Sequence, residues 1–202
     1  MKKKLIIVGA GGHAKTCLEV AESSKKFKII GFIDNKMKFD EIFSKLKIFN
    51  DRSLNTILKI TKNIHIGVGQ IKSAKLRIKL FKKYKNKGFC FPVLIHANAY
   101  VSKYSSVGEG TLVGINCIIN ANCKIGCNTI INNKSLVEHD TIIGDNCHIS
   151  TGTIINGNCT VGDNTFIGSG SIIHNNISIG KNCVIGSGSI IKKNLKAGTF
   201  LR

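Results

Sequence analysis

A chain of 202 residues with a net charge of +19 and eight cysteines has room for one large domain or two small ones, each with its own core. No run of about 18 apolar residues marks a membrane span. The apolar stretch of the start, MKKKLIIVGAGGHAK, is only Leu5 to Val8 before a glycine turn, which reads as a buried first strand and not a signal peptide.

With no C-x-x-C pair and no export signal, the expectation is a cytoplasmic protein with reduced thiols. The charge is uneven. Through Phe91 there are 22 Lys+Arg against 6 Asp+Glu, a net +16, and thereafter 8 against 5, a net +3. A basic first half suits an anionic ligand such as a nucleotide. Its lysines are scattered through helical stretches with few aromatics, which favours a solvated surface over nucleic-acid binding.

In chain order, KKLIIVGAGGHAKTCLEVAES reads as strand, glycine turn and helix. KFKIIGFIDN is a second strand ending in Asp34-Asn35, NIHIGVGQ a third, and KSAKLRIKLFKKYKNKG a basic amphipathic helix. Alternating strands and helices predict a small parallel sheet. Gly9-Ala10-Gly11-Gly12-His13-Ala14 matches G-x-G-x-x-A. Its glycines let backbone approach a diphosphate at a helix N-terminus, and Asp34 falls where a ribose-binding acid belongs. About ninety residues hold half of a six-stranded dinucleotide fold, so the ligand implied is one nucleotide, including a nucleotide sugar. FCFPVLIHANAYVS then leads past the only proline, Pro92, out of this unit. The predicted domains are 1–92, a small α/β nucleotide-sugar-binding unit, and 93–202.

From Val101 to Ile191 every sixth residue is Val or Ile, sixteen in succession. Four residues after each stands Ser, Thr or Cys through Ser189, with Ile177 the departure. A period of six suits short strands and tight turns, three to a coil: a hexapeptide parallel β-helix of about five coils, roughly 25 Å long. Asn and Gly at the turns tolerate positive φ. Cys117, Cys123, Cys147, Cys159 and Cys183 occupy the small position and read as small buried residues. The repeat does not give the hand of the coil; right-handed crossovers are the general rule.

In LVEHDTIIGDNCHIS (136–150), Val137, Ile143 and Ile149 are rungs of the repeat. That leaves Glu138, His139, Asp140 and His148 as chemistry the rungs do not require: a base with its acid, a metal site, or surface residues. A histidine titrates in the range for general-base work, and an adjacent carboxylate fixes its tautomer. Zinc needs three histidines converging at about 2.0–2.1 Å. Spacings of nine and then twenty-six residues to His174 do not supply them, so no metal is expected. Nine residues is half of an 18-residue coil, which puts His139 and His148 on different faces. They can share a site only across a subunit boundary. His65, His96 and His174 read as structural or peripheral.

Taken together, LIIVGAGGHAK, GFIDN, IHANAYVS, the sixteen hexads and LVEHDTIIGDNCHIS resemble the PglD/NeuD-type sugar acetyltransferases over nearly the whole chain. The resemblance implies a half-Rossmann-like α/β domain followed by an all-β left-handed parallel β-helix. It further implies a homotrimer with active sites between subunits and acetyl-CoA as co-substrate. His139 would be the general base and Asp140 its orienting acid. His148 would lie by the thioester and pantetheine, with Gly157, Ser169 and Ser187 along the CoA. Gly11, Gly12 and His13 would meet the diphosphate, Asp34 and Asn35 the base and ribose, and Gly69 would complete the nucleotide-sugar site.

The implied reaction is N-acetylation of the 4-amino group of a nucleotide-linked amino-dideoxy sugar in bacterial surface glycan biosynthesis. A UDP sugar is favoured and a GDP sugar is the variant; no nucleic acid and no membrane insertion are implied. The alternatives are O-acetylation of sialic acid by the same architecture and a hexapeptide zinc enzyme of the carbonic anhydrase type. Two departures from the family pattern stand out: AGTFLR in place of a G-x-P-A-type tail, and Asn35 where a second acid can occur.

Overall fold

The computed structural model describes residues 1–35 and 46–201. Its first part is a four-stranded parallel sheet in the order β3-β2-β1-β4, made of β1 (Lys3–Val8), β2 (Phe27–Ile33), β3 (Lys47–Phe49) and β4 (Ile64–Ile66). Helix α1 (Gly12–Ser23) follows β1, α2 (Leu54–Ile60) precedes β4 and α3 (Lys75–Lys85) follows it. The sequence patterns anticipate β1, α1, β2, β4 and α3 but not β3 or α2. A three-residue KIF strand and a seven-residue LNTILKI helix are each too short to display a period.

Ala14, Cys17, Leu18 and Ala21 form the buried stripe of α1, at the spacing a helix needs to present one apolar face. They pack with Leu5, Ile7 and Phe32 from the sheet and with Leu94, Leu112 and Ile130 from the repeat. One apolar cluster thus joins the two halves of the molecule. The opposite sheet face packs Ile6, Val8 and Ile64 against Ile57 of α2 and Tyr84 of α3.

The repeat is a parallel β-helix with three faces of seven, six and five two-residue strands. Residues 18 apart pair within a face, as Ile131 with Ile149 and Val137 with Ile155. It starts at Leu94–Ile95, one hexad before the first residue of the sequence count, and ends at Phe200–Leu201. The last rung pairs Ile185 with Leu201, an interval of 16, because the turn after Ile191 is two residues shorter than the others.

The Val and Ile rungs fill the interior. The small position does more than fill space. Thr111 Oγ1 donates to the Gly126 carbonyl at 2.7 Å, Ser135 Oγ to Ser150 O at 2.9 Å and Cys117 Sγ to Asn132 O at 2.9 Å. Ser, Thr and Cys share a donor that satisfies a corner carbonyl of the next coil, which Ala would leave orphaned. The corner itself needs a left-handed residue. Asn116, Asn122, Asn128, Asn146, Asn158 and Asn164 hold φ between 50° and 61° there, a region Asn tolerates.

Candidate active site

The outward side chains of one β-helix face explain how the site is placed. Reading up the face at intervals of 18, they are Leu94, Leu112, Ile130, His148, Phe166 and Val184. The first three are 0 % exposed beneath α1, His148 is 8 % exposed, Phe166 is 9 %, and the face ends at Phe200, 53 % exposed. His148 therefore stands where the covered part of the face stops and an open groove begins. That groove, about 380 Å³, is lined by His148, Ser150, Phe166, Ser169, Ser187 and Phe200.

The His148 ring is held on two sides. Its Nδ1 lies 2.6 Å from the Gln70 carbonyl, which only accepts, so Nδ1 carries the proton and Nε2 the lone pair. Phe166 meets the ring edge-on at 5.3 Å between centroids. Burial, with the Arg77 guanidinium adding to it, pushes the His148 pKa down to about 4, leaving a neutral imidazole at physiological pH. The His13 ring is 6.4 Å away, so the start of α1 and the groove adjoin.

Around the start of α1 the glycines differ in purpose. Gly9 has φ +92°, whereas a Cβ added at Gly11 or Gly12 meets no protein atom within 4 Å. Backbone conformation does not demand glycine at 11 and 12; the bare backbone leaves open space at a helix N-terminus, a setting that suits an anion. Gly69 abuts the His13 side chain, and His13 Nε2 is buried without a partner.

Asp34 Oδ2 accepts from the Ala10 amide at 3.0 Å, tying the end of β2 to the glycine turn. Asp34 and Asn35 line a small cavity of about 190 Å³ with Asp51 and Tyr84. Asp51 braces Asn35: its Oδ2 accepts from Asn35 Nδ2 at 2.6 Å, and its amide donates to Asn35 Oδ1 at 3.0 Å. Burial raises the Asp51 pKa, but hydrogen bonds from Lys83, Asn35 and Tyr84 outweigh it and hold the carboxyl below its usual range.

His139 is elsewhere, at a corner opposite the groove. Its Nδ1 lies 2.7 Å from Asp140 Oδ2, with side chains 60 % and 47 % exposed. A carboxylate accepts only, so Nδ1 is the donor in this pair and Nε2 is the ring nitrogen left for another partner. Hydrogen bonds from Asn122 and from His139 hold the Asp140 carboxyl below its usual range. A cavity of about 570 Å³ lined by His139, Glu138, Asn120, Tyr100 and Tyr104 opens beside the ring.

One expectation needs correction. Asp140 is not superfluous to the repeat: at φ +61° it is the left-handed corner residue, and its Oδ1 accepts from Asn122 at 2.7 Å, as Asn176 accepts from Asn158 two coils on. Gly157, expected along the CoA, lies on the His139 side of the β-helix and is not among the residues lining the His148 groove of its own chain. An added Cβ there would lie 2.7 Å from His139 Cε1 and 2.8 Å from Nε2, so this glycine makes room for the imidazole.

Ser169 and Ser187 line the same groove as His148. Sequence reasoning missed Gln70, Arg77 and Asp51, which follow no motif. Of the histidines set aside, His65 is fully buried, His96 is 8 % exposed and His174 is exposed. Among the described residues no group of three or more His, Cys, Asp or Glu is arranged to hold a metal ion. No helix among them is long and apolar enough to cross a membrane.

The family model described as the PglD N-terminal domain matches residues 4–84, and that of the bacterial transferase hexapeptide matches 122–157 and 158–193. Comparison with curated proteins gives no match. Among solved structures, the chain is similar to perosamine N-acetyltransferase from Caulobacter crescentus, crystallised as a histidine-to-asparagine variant with CoA and GDP-perosamine. The identity is 25%, the TM-score 0.91, and 98% of this chain and 93% of that one are covered. It is similar also to the acetyltransferase domain of PglB from Neisseria gonorrhoeae in complex with acetyl coenzyme A, at 26% identity and TM-score 0.90, over 99% and 96% of the two chains. WeeI from Acinetobacter baumannii AYE shares the fold at 24% identity and TM-score 0.84, over 98% and 96%. An α/β sheet domain set on a left-handed parallel β-helix, with both parts matched and the whole superposing on acetyltransferases, makes the chain an acyltransferase of the PglD-type sugar acetyltransferase family.

Proposed function

We propose that the protein transfers an acetyl group from acetyl-CoA to the 4-amino group of a nucleotide-linked amino sugar. The observation that carries the reading is the His139–Asp140 pair, whose 2.7 Å contact at Nδ1 orients the ring and leaves Nε2 as the nitrogen available beside an open cavity. His139 Nε2 takes a proton from the neutral amine as its nitrogen attacks the thioester carbonyl. The tetrahedral intermediate then collapses with cleavage of the C–S bond, the CoA thiolate leaving and taking up that proton. Asp140 holds the ring and stabilises its charged form. Acetyl-CoA lies in the His148, Ser169 and Ser187 groove, so the thioester is held for direct attack without a covalent enzyme intermediate.

The nucleotide sugar binds at the start of α1. Gly11 and Gly12 offer backbone to the diphosphate, and Asp34 and Asn35 face the nucleoside. Because His139 lines one cavity and His148 another, one protomer supplies the base and its neighbour the groove, in a homotrimer. The 1–92 and 93–202 division then separates acceptor binding from donor binding. A UDP sugar is the favoured acceptor; the GDP-perosamine in the Caulobacter crescentus complex keeps a GDP sugar in the comparison.

The test is thiol release from acetyl-CoA with UDP- and GDP-linked 4-amino sugars and free sialic acid as acceptors. Turnover with a nucleotide amino sugar is expected. Turnover with sialic acid alone refutes the amino-sugar assignment, and stoichiometric zinc in the purified protein refutes the metal-free mechanism.

A further inference from the structure

We infer that Gln70 is a positioning residue for the acyl-donor groove: its carbonyl fixes the tautomer of His148, and its side chain locks that carbonyl against the β-helix. The inference rests on, and deepens, the donor reading of the groove given above.

The geometry is that of a strap. The chain leaving β4 runs through Gly67, Val68, Gly69 and Gln70. At its far end the Gln70 carbonyl lies 2.6 Å from His148 Nδ1, while Gln70 Nε2 donates to the Asn146 carbonyl at 2.8 Å. At its near end Arg77, 0 % exposed, donates to the carbonyls of Ile66 and Val68 and to both oxygens of Asn128. Asn128 and Asn146 are successive rungs of one corner, joined by a 2.9 Å side-chain hydrogen bond. Residues 66–70 are thus fastened at both ends to the same edge of the β-helix. The strap also presses on α1: a Cβ at Gly67 would come within 2.5 Å of Ile7 and 3.1 Å of Ala14. It has no slack to take up.

A carbonyl that cannot move dictates the state of the ring it meets. With Nδ1–H donating to Gln70, the Nε2 lone pair of His148 faces the groove, where Asn132 Nδ2 lies 3.5 Å away. The charged and titratable groups around the ring are Arg77 from α3 and His13 from α1, with His65 beside His13. Burial and the Arg77 charge disfavour a second proton and outweigh the Gln70 hydrogen bond, which favours it, in keeping with the lowered pKa. His148 is therefore an acceptor, suited to an amide N–H of a pantetheine arm. It cannot donate a hydrogen bond to the oxyanion of the tetrahedral intermediate, which must take its donors from other groups. Because Gly69 lies beside His13, where an added Cβ would come 3.6 Å from the His13 Cβ, while Gln70 holds His148, the same strap links the acceptor and donor ends.

The test reads the tautomer directly. In protein labelled with ¹⁵N at histidine, the two-bond imidazole correlation of His148 is expected to show a protonated Nδ1 and a bare Nε2. Gln70→Ala is expected to give a mixed or inverted tautomer and to weaken CoA binding by calorimetry about five- to tenfold, the effect of one lost hydrogen bond. Its thermal midpoint should fall by only about 2–4 °C. Arg77→Lys, which keeps the charge but cannot reach three residues' carbonyls, is expected to produce the same spectral change. If that variant does not fold, Gln70→Ala carries the test alone. A wild-type His148 protonated at Nε2, or a folded Gln70→Ala protein with unchanged tautomer and unchanged CoA affinity, overturns the assignment. Wild-type protein that binds no CoA overturns the donor reading of the groove, whereas the tautomer measurement still decides whether Gln70 positions His148.

Discussion

Gly157→Ala is the sharpest probe of the proposed base, because the substitution touches His139 and little else. The new methyl carbon would sit 2.7 Å from Cε1 and 2.8 Å from Nε2, against an ordinary contact distance of 3.4 Å or more. The ring must therefore retreat by about 0.6–0.7 Å or swing away. Either movement disturbs the 2.7 Å bond to Asp140 and the position of Nε2. A misplacement of about 1 Å costs roughly 10²-fold in a positioned reaction, so kcat should fall about 10- to 50-fold, or about 1.4–2.3 kcal/mol in the barrier. Folding should be unaffected, since the His139 side chain is 60 % exposed and moves into solvent. Thiol-release kinetics with both substrates saturating, beside a thermal melt, make the measurement. Gly88→Ala supplies the opposite pattern: at φ +84° with nothing near its Cβ, it should lose about 1 kcal/mol of stability and keep its rate. A Gly157→Ala enzyme within twofold of wild-type kcat refutes the idea that His139, held in this rotamer, is the base.

Asp140→Asn keeps the left-handed corner but leaves one amide oxygen to serve two donors, Asn122 and His139; turnover should drop at least about tenfold with the melting temperature unchanged, and an equally active variant would remove Asp140 from the mechanism. Thiol labelling of the native protein should be fast at Cys90, which is exposed, and slower at half-buried Cys127. The other six should react only after unfolding, with Cys17 and Cys147 pushed up to about 12 by burial; a third fast thiol contradicts the packing. In acid, His65 and His148 have folded pKa values pushed down to about 3 and about 4 by burial, so below about 6.5 the unfolded chain binds more protons. Stability should therefore start to fall near pH 6.5 and keep falling toward pH 4, before carboxylates titrate, and a melting temperature flat across that window refutes the neutral buried imidazoles.

Sequence showed most of this molecule because its larger half is periodic. A period of six repeated sixteen times cannot be met by a helix or a plain strand, and every rung it marks is inside or at the edge of the core. It could not show which outward residues become covered, since that depends on where α1 docks. His148 reads as one of several outward positions until Leu94, Leu112 and Ile130 are seen to disappear under α1. Nor could it show that Gly157 makes room for His139, because that neighbour lies 18 residues away and one coil below. Gln70, Arg77 and Asp51 act through contacts at separations of 9 to 78 residues, and no local pattern announces them. The motif residues Gly11, Gly12, His13 and Asp34 were legible because a turn and a helix start bring them together within the chain.

The same arithmetic bears on how a site is completed. Eighteen residues make one turn of the coil, so the nine between His139 and His148 put them at different corners, with the base opening onto one cavity and the groove onto another. If neighbouring protomers of a ring pair base with groove, a His139→Ala subunit and a His148→Asn subunit complement each other. In trimers co-expressed from equal amounts of the two, a site works when its first subunit keeps His139 and the next keeps His148. Random assortment satisfies that at about one site in four, since each condition holds half the time in a closed ring. Activity should return to about a quarter of wild type at subsaturating acetyl-CoA, far above either variant alone. A site built within one chain predicts none, because every chain then carries a defect. Recovery near a quarter fixes the shared site, and mixed trimers as inactive as their parents refute it.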